Sequence, residues 1–365
     1  MKIAFHLAHP AHYHLFKNVI HTLKERHNVW VTFNEKDILL KLVESQALAD
    51  RTVNIRSNKR FNNNFGLVLQ FLEKEVNLFK AIYKDKPDLI LGTSIIIAHV
   101  GKVLGIPSII VNEDDFDIVS GTVKIGYPFC THILAPECCR VGKWHHKTIQ
   151  YDGYHELAYL IPKYFKPDKS IIQNVININK RYFILRFAEL GAHHDFGKKG
   201  ISITIARKLV EILEKYGYIY ITSERKLESQ LEKYRIRLNP LDIHHALYFS
   251  DLYIGDSQTM AAEAAVLGTP SIRFNDFAGQ IGYLEDLEHK YNLTYGIKAS
   301  ASEDLFDKIH HLLSMKNLKK EWQLRREKML SEKIDVASFF VWLIENYPQS
   351  VSIIKNDPGY QFNFK

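Results

Sequence analysis

The 365 residues of the chain predict an α/β protein built as two doubly wound lobes in series. Three observations carry this expectation. Strand-like and helix-like segments alternate along most of the sequence, the pattern of parallel sheets joined by crossover helices. The alternation runs in two series, one opening at Ile3 and one near Arg181, separated by residues 161–179, which hold two prolines (Pro162 and Pro167), several lysines and no strong periodicity. The length exceeds what one hydrophobic core comfortably serves and suits two.

The first series begins with Ile3–Leu7 as a strand. The apolar stripe Leu15, Phe16, Val19, Ile20 and Leu23 makes His12–Arg26 a helix, and Asn28–Phe33 reads as the second strand. A helix is expected over Glu35–Ser45. Beyond a polar stretch at Asn54–Asn64 comes a long amphipathic helix, Phe65–Tyr83, stopped by Lys86-Pro87-Asp88. Leu89–Leu91 is a strand, Ile95–Leu104 a helix closed by Gly105, and Ser108–Val111 and Thr131–Ala135 are strands. In the second series Tyr182–Phe187, Tyr218–Thr222, Leu252–Ile254 and Ser271–Phe274 are the expected strands. Helices are expected at Ile201–Tyr216, Leu241–Phe249, Thr259–Leu267 and Ala301–Leu313. The final helix, Asp335–Tyr347, carries more aromatic surface than a short terminal helix needs. It either crosses back to brace the first lobe or completes the core of the second. The expected domains are 1–165, 166–334 and a C-terminal helix and tail at 335–365. Ligands of such sheets bind beyond the carboxyl ends of the strands, so a cleft between two facing lobes is the expected site.

Composition narrows the class. Hydrophobic residues make up 46% and charged residues 24%, ordinary values for a soluble globular protein. No apolar run approaches the roughly 20 residues that span a bilayer, and the N-terminus runs directly into a strand without a signal-peptide pattern. Three cysteines, two of them adjacent, make a disulfide framework unworkable, so a reducing, cytoplasmic setting is expected. The net charge of +7 favours anionic partners. No helix-turn-helix, zinc-finger or RNP pattern points to nucleic acid.

The most informative stretch runs from Asp251 to Pro270. A short apolar strand ends at Ile254, Gly255 permits a tight turn, and Asp256 or Ser257 can cap the alanine-rich helix that follows. Gly268 suits the left-handed C-cap and Pro270 restarts the chain as a strand. Free amides and the positive dipole end at Ser257, Gln258 and Thr259 suit a diphosphate. Glu263, one turn on, can accept hydrogen bonds from ribose hydroxyls; a carboxylate inside Met-Ala-Ala-Glu-Ala-Ala-Val-Leu is otherwise hard to place.

Two other stretches carry candidate chemistry. The first strand-to-helix turn, His6-Leu-Ala-His-Pro-Ala-His-Tyr-His14, lacks a G-x-G-x-x-G fingerprint, which argues against dinucleotide binding. Its histidines offer a general base near neutral pH, with His12 or His14 presented by the helix start and His6 structural. No tidy pair of ligand motifs supports a metal. Val111-Asn-Glu-Asp-Asp-Phe-Asp117 sets four carboxylates directly after a buried strand, where mutual repulsion can prepare an acid or base such as Glu113. The stretch Gly153-Tyr-His-Glu156 lines either the cleft or the hinge. Lys59-Arg60 and the stripe Phe65, Leu67, Val68, Phe71 and Leu72 either meet an acceptor or membrane surface or belong to the core.

The Asp251–Pro270 segment resembles the sugar-nucleotide signature of the glycosyltransferase-B superfamily. In the non-hydrolysing UDP-N-acetylglucosamine 2-epimerases it reads Asp-Ser-Gly-Gly, then Glu-Glu-Ala, then Leu-Gly-x-Pro; this chain matches with Asp256-Ser257, Glu263-Ala264 and Leu267-Gly268-Thr269-Pro270. Gln258 and Thr259 stand in for the two glycines. Together with the histidine turn and Arg186-Phe-Ala-Glu-Leu-Gly-Ala-His-His-Asp195, it is similar to a largely uncharacterised archaeal and bacterial family grouped by fold with these epimerases and with glycosyltransferases. The resemblance implies a glycosyltransferase-B-like fold of two Rossmann-like lobes. It implies that Ser257 and its neighbours hold a diphosphate, that Glu263 holds the ribose, and that Arg186, His193 and His194 contact the nucleotide-sugar. Glu113 matches a catalytic glutamate of the epimerases, but Gly92-Thr93 stands where an aspartate is expected and a second glutamate before Thr131 is missing, which argues against epimerisation.

The resulting expectation is a glycosyltransferase acting in surface glycan or polysaccharide biosynthesis. A nucleoside-diphosphate sugar, UDP-linked by default, is the donor, and no cofactor or metal is obligatory. The acceptor is a glycan or lipid-linked hydroxyl on the first lobe, the latter bringing peripheral contact with the inner face of a membrane. His14, His12 or Glu113 removes the acceptor proton. An epimerase-like isomerase and a non-catalytic nucleotide-sugar or glycan-binding protein are the alternatives.

Overall fold

The computed structural model describes residues 1–34, 39–45, 48–56, 64–188 and 200–365. The chain forms two compact units. Unit 1 comprises Met1–Tyr159 and Ile334–Lys365, and unit 2 comprises Leu160–Lys333.

Unit 1 is built on seven parallel strands: β1 (Lys2–Leu7), β2 (Asn28–Phe33), β3 (Arg51–Asn54), β4 (Leu89–Gly92), β5 (Ser108–Val111), β6 (His132–Pro136) and β7 (Thr148–Tyr151). Their order in the sheet is β3-β2-β1-β4-β5-β6-β7. Its helices are α1 (Pro10–Leu23), α2 (Leu39–Ser45), α3 (Asn64–Ile82), α4 (Ile96–Leu104) and α5 (Ser120–Gly126), and α6 (Leu157–Leu160) spans the boundary. Sequence reasoning missed β3, β7 and α5, elements of four to seven residues with little periodicity to read.

The start of α1 follows from its sequence. Pro10 occupies the first turn, where its missing N–H costs nothing, and His9 caps the helix by accepting from the Ala11 amide through Nδ1 at 3.2 Å. Leu15, Phe16, Val19, Ile20 and Leu23 are buried against the sheet.

The late segment returns to unit 1. Asp335 caps α14 (Val336–Glu345), its carboxylate accepting from the Ser338 amide at 3.0 Å. Val336, Phe339, Phe340, Leu343 and Ile344 are fully buried. Each such burial stabilises by about 1.5–3 kcal/mol. Phe340 meets the Tyr151 ring of β7 at 5.2 Å, and Glu345 pairs with Arg26 at 2.9 Å just beyond α1. The aromatic excess of this segment therefore serves unit 1, as does α15 (Gln349–Asn356).

Unit 2 has five parallel strands: β8 (Tyr182–Phe187), β9 (Tyr218–Ser223), β10 (Leu252–Gly255), β11 (Ser271–Phe274) and β12 (Thr294–Ile297). Their order is β12-β11-β10-β8-β9, which leaves β9 on an edge. The helices are α7 (Ile203–Leu213), α8 (Ser229–Glu232), α9 (Ile243–Phe249), α10 (Gln258–Val266), α11 (Gly282–Glu285), α12 (Ser302–Ser314) and α13 (Leu318–Glu332). No helix among the described residues is long and apolar enough to cross a membrane.

Strand order fixes where ligands can approach. In a doubly wound sheet the connections on either side of the point where the order reverses run to opposite faces, leaving a crevice at the carboxyl ends. That point lies between β1 and β4 in unit 1, and between β8 and β10 in unit 2.

Candidate functional site

The unit 2 switch point gathers Arg186, at the end of β8, and the turn from β10 into α10; Gly255 pairs in register with Arg186. Gly255 is required by packing: a Cβ there would lie 2.4 Å from Tyr253 Oη and 2.8 Å from Arg186 Cβ. Ser257 is the N-cap of α10, its Oγ accepting from the Met260 amide at 3.4 Å. By helix geometry the amides of Gln258 and Thr259 then point out along the axis at the positive end of the dipole.

Of the two caps allowed by the sequence, Asp256 takes another task. Its carboxylate is buried and accepts from the Ala188 amide at 2.6 Å, the Ile201 amide at 3.2 Å and Arg225 Nη2 at 2.6 Å. It thereby fixes both described flanks of residues 189–199. Burial raises its pKa above the usual aspartate value, against the pull of these donors. Asn275, after β11, donates to the Asp256 carbonyl at 3.1 Å and completes the turn. A Cβ at Gly200 would sit 2.7 Å from Asp256 Oδ2, so that position needs glycine.

The Arg186 guanidinium donates to Thr222 Oγ1 at 2.9 Å and pairs with Glu224, both at the end of β9. Its Nε is buried and has no hydrogen-bond partner among the described residues. Glu263, one turn into α10, is 5% exposed, which excludes a solvated surface carboxylate. It lies 2.9 Å from Nε2 of the buried His244 on α9. His193 and His194 lie outside the described residues. Arg225, His244 and Asn275 were not anticipated; the only sequence signal was a His-His pair at 244–245 without a motif around it.

At the unit 1 switch point His12 follows β1 and Thr93 follows β4. The Ala8 amide donates to His12 Nδ1 at 3.1 Å, and Thr93 Oγ1 lies 2.7 Å from Nδ1 and 2.9 Å from Nε2. The ring is thereby held against Thr93 at the switch point, with the Ala8 amide fixing Nδ1 as an acceptor. His14, expected beside it as a second presented base, is instead buried at 6% exposure between the rings of Tyr13 and Tyr159, because its place in the helix turns it onto the packed face. His6 is fully buried with Nδ1 2.9 Å from Thr32 Oγ1, and burial lowers its pKa to about 3.

Of the four carboxylates after β5, Asp115 and Asp117 go to Arg140 and Glu113 goes to His155. Asp115 turns inward to accept from the Arg140 amide at 2.6 Å, and Asp117 makes a bidentate pair with the Arg140 guanidinium at 2.9 Å. Asp115 and Asp117 thus share the Arg140 cation, which offsets their mutual repulsion. Glu113 faces His155, with Oε2 3.2 Å from Nδ1 and 3.3 Å from the His155 amide. Burial lowers the His155 pKa to about 4, so the contact is a hydrogen bond from a neutral ring and not an ion pair. Gly153 of the same stretch packs against Val336, within unit 1. On α3, Phe71 packs against the core, whereas Val68 and Leu72 are 56% and 48% exposed; Lys59 and Arg60 lie outside the described residues.

A model of the family described as "Protein of unknown function (DUF354)" matches residues 1–280. The chain is 24% identical over 280 residues to the uncharacterized protein MJ0665 of Methanocaldococcus jannaschii, covering 73% of this chain and 79% of that one. Among solved structures it is similar to S. aureus MnaA with UDP, at TM-score 0.66 and 13% identity, over 96% of this chain and 98% of that one. It is also similar to the M. jannaschii UDP-GlcNAc 2-epimerase in complex with UDP-GlcNAc and UDP, at TM-score 0.63 and 16% identity, over 91% and 100% of the two chains. The glycotransferase of kitacinnamycin gives TM-score 0.58 at 13% identity, over 94% and 98%. At these identities the likeness is one of fold: two parallel-sheet α/β units of the glycosyltransferase-B kind.

Proposed function

The chain belongs to the DUF354 family, and from that premise and its own geometry we propose that it binds a nucleoside-diphosphate sugar on unit 2 and transfers the sugar to a hydroxyl acceptor. UDP is the default nucleotide, and a glycan or lipid-linked acceptor in surface polysaccharide synthesis is the expected setting. One observation carries the reading: at the unit 2 switch point a Ser-capped helix start is followed, one turn on, by a buried glutamate steadied by His244. The amides of Gln258 and Thr259 take the diphosphate and Glu263 the ribose hydroxyls. Arg186, with its Nε turned inward and unmatched among the described residues, adds positive charge for the departing diphosphate. That pairing of amides and guanidinium leaves no obligatory role for a divalent metal.

The proton of the acceptor hydroxyl goes to Glu113, whose carboxylate is held by the neutral His155 ring. His12 and Thr93, in contact at the unit 1 switch point, orient the acceptor oxygen, in place of the base first expected of His12. An epimerase-like reaction is the second reading, favoured by Glu113 at the end of β5.

Isothermal titration of the whole chain with UDP, GDP, dTDP and their sugars tests the donor. One nucleoside diphosphate should bind saturably, and at a concentration 100 times its Kd should stabilise the fold by about 2.7 kcal/mol. Glu263→Gln should weaken it about tenfold, the loss of one charged hydrogen bond, with the melting temperature little changed. Binding of none of these compounds would remove the proposal. Conversion of UDP-N-acetylglucosamine to a new epimer without acceptor would replace transfer by the second reading.

A further inference from the structure

The outer helix layer of unit 1 presents apolar side chains to solvent. The crossovers β3–α3–β4, β4–α4–β5 and β5–α5–β6 advance across the sheet in the same direction, so right-handed connection places α3, α4 and α5 on one face. Leu78 and Ile82 bury the inner side of α3. On its outer side Val68, Leu72 and Val76, spaced four apart, and Leu69 beside them are exposed. A helix apolar on both sides calls for a second burial.

His99 of α4 joins this stripe to α5. It pairs with Glu75 of α3, its ring lies 6.0 Å from Phe71 and 5.0 Å from Phe129, and its Nε2 is 2.9 Å from the Ile125 carbonyl. Ile125 and Phe129 are 52% and 46% exposed, and Val103, one turn beyond His99, is 74% exposed. Each helix also contributes a lysine: Lys80, Lys102 and Lys124 are exposed and make no ion pair among the described residues. Carboxylates are withdrawn from this layer. Glu75 is taken by His99, Glu73 is half-buried, and Asp85, beyond the end of α3, pairs with Lys2.

We propose that this layer docks on an anionic membrane surface. The apolar side chains enter the boundary between headgroups and acyl chains, and the lysine stems lie along it with their ammonium groups among lipid phosphates. Charge selects this occupant over a second copy of the chain. In a two-fold self-contact Lys80, Lys102 and Lys124 meet the same patch of the copy, where the three helices offer no exposed carboxylate among the described residues. A soluble polyanion answers the lysines but leaves Val103 and Phe129 wet. The docking stands without the donor reading. One consequence rests on that reading: α3, α4 and α5 start at the carboxyl edge of the sheet, which also carries His12 and Glu113, so a bilayer on this layer favours a lipid-linked acceptor over a free glycan.

The experiment is flotation of the full chain with vesicles of phosphatidylglycerol and phosphatidylcholine in equal parts, and with phosphatidylcholine alone. The mixed vesicles should carry the chain, and the neutral ones should bind it at least about tenfold more weakly. Lys80→Gln/Lys102→Gln/Lys124→Gln should weaken binding roughly a hundredfold. Leu72→Ser/Phe129→Ser, at exposed positions and unchanged charge, should weaken it about tenfold or more, while urea midpoints and UDP titration stay as in the parent chain. No vesicle binding, equal binding to neutral vesicles, or variants that float like the parent would each overturn the docking. Sedimentation equilibrium showing a dimer that the Leu72/Phe129 variant dissolves would give the layer to a second copy instead. Vesicle binding without nucleotide binding would keep the docking and sink the donor reading; nucleotide binding without vesicle binding would do the reverse.

Discussion

Replacing Asp256 by alanine removes the carboxylate around which the unit 2 switch point is organised. Three donors lose their acceptor: the Ala188 amide at 2.6 Å, the Ile201 amide at 3.2 Å and Arg225 Nη2 at 2.6 Å. Removing one partner from a buried charged pair costs about 3–5 kcal/mol, chiefly because the groups left behind stay dry. Ile201 is 2% exposed, so its amide recovers no water. The Arg225 side chain is 38% exposed and Ala188 is half-buried, so both rehydrate in part. These discounts bring the expected loss to the lower end, about 3 kcal/mol. Urea unfolding measures it by tryptophan fluorescence, in which unit 2 is represented by the buried Trp322 alone. Hydrogen exchange should rise at the Ile201 amide, and UDP affinity should fall as the turn before Ser257 loosens. A stability change under about 1 kcal/mol with unchanged exchange at Ile201 would refute the role given to Asp256.

Acid should destabilise unit 1 well before carboxylates titrate. His6 and His155 titrate at about 3 and about 4 in the folded chain against an ordinary 6.5. The unfolded chain therefore binds more protons below 6.5, and the stability present above that value is lost as pH falls toward the folded values. From pH 7.5 to 5 each histidine should cost about 2 kcal/mol, about 4 together, read from urea midpoints; a flat profile contradicts the burial argument. Gly255→Ala drives a Cβ to 2.4 Å from Tyr253 Oη and should cost about 1–3 kcal/mol and lower UDP affinity by calorimetry; a neutral variant would show that β8 and β10 can part there. Phe339→Ala should cost about 3–5 kcal/mol by the same unfolding assay, because the fully buried ring packs between Tyr151 at 6.1 Å and Phe364 at 5.7 Å.

What the sequence disclosed, and what it withheld, follows from how local each signal is. The strands β2, β5, β8 and β11 carry their own apolar runs and end where expected. The turn from β10 into α10 announces itself through Gly255, Ser257 and the alanines. By contrast, α13 buries only Leu318, Trp322 and Met329 among fifteen mostly charged residues, too few to mark a face. The contact of Glu263 with His244 joins two helices nineteen residues apart in sequence, and nothing local encodes it. The carboxylates after β5 illustrate the opposite error. Adjacency in sequence suggested one cluster, but backbone turns send Asp115 and Asp117 to Arg140 and Glu113 to His155.

The two glycines that the epimerase signature places after Asp-Ser are Gln258 and Thr259 here, and the structure explains why this exchange is affordable. Both residues lie in the first turn of α10, and neither has a positive φ. Glycine is therefore not demanded by backbone conformation at either position. The glycine that close approach does demand is Gly255, where any Cβ strikes Tyr253 and Arg186. Gln258 and Thr259 consequently exchange bare backbone for side-chain polar groups at the helix start, and Gln258 Oε1 is buried there without a partner among the described residues. An acceptor oxygen in that position repels a phosphate oxygen but receives a hydrogen bond from a sugar hydroxyl or a base N–H. Under the donor reading proposed above, the substitution would shift recognition at this edge away from the diphosphate and toward the ligand's flanking donor groups.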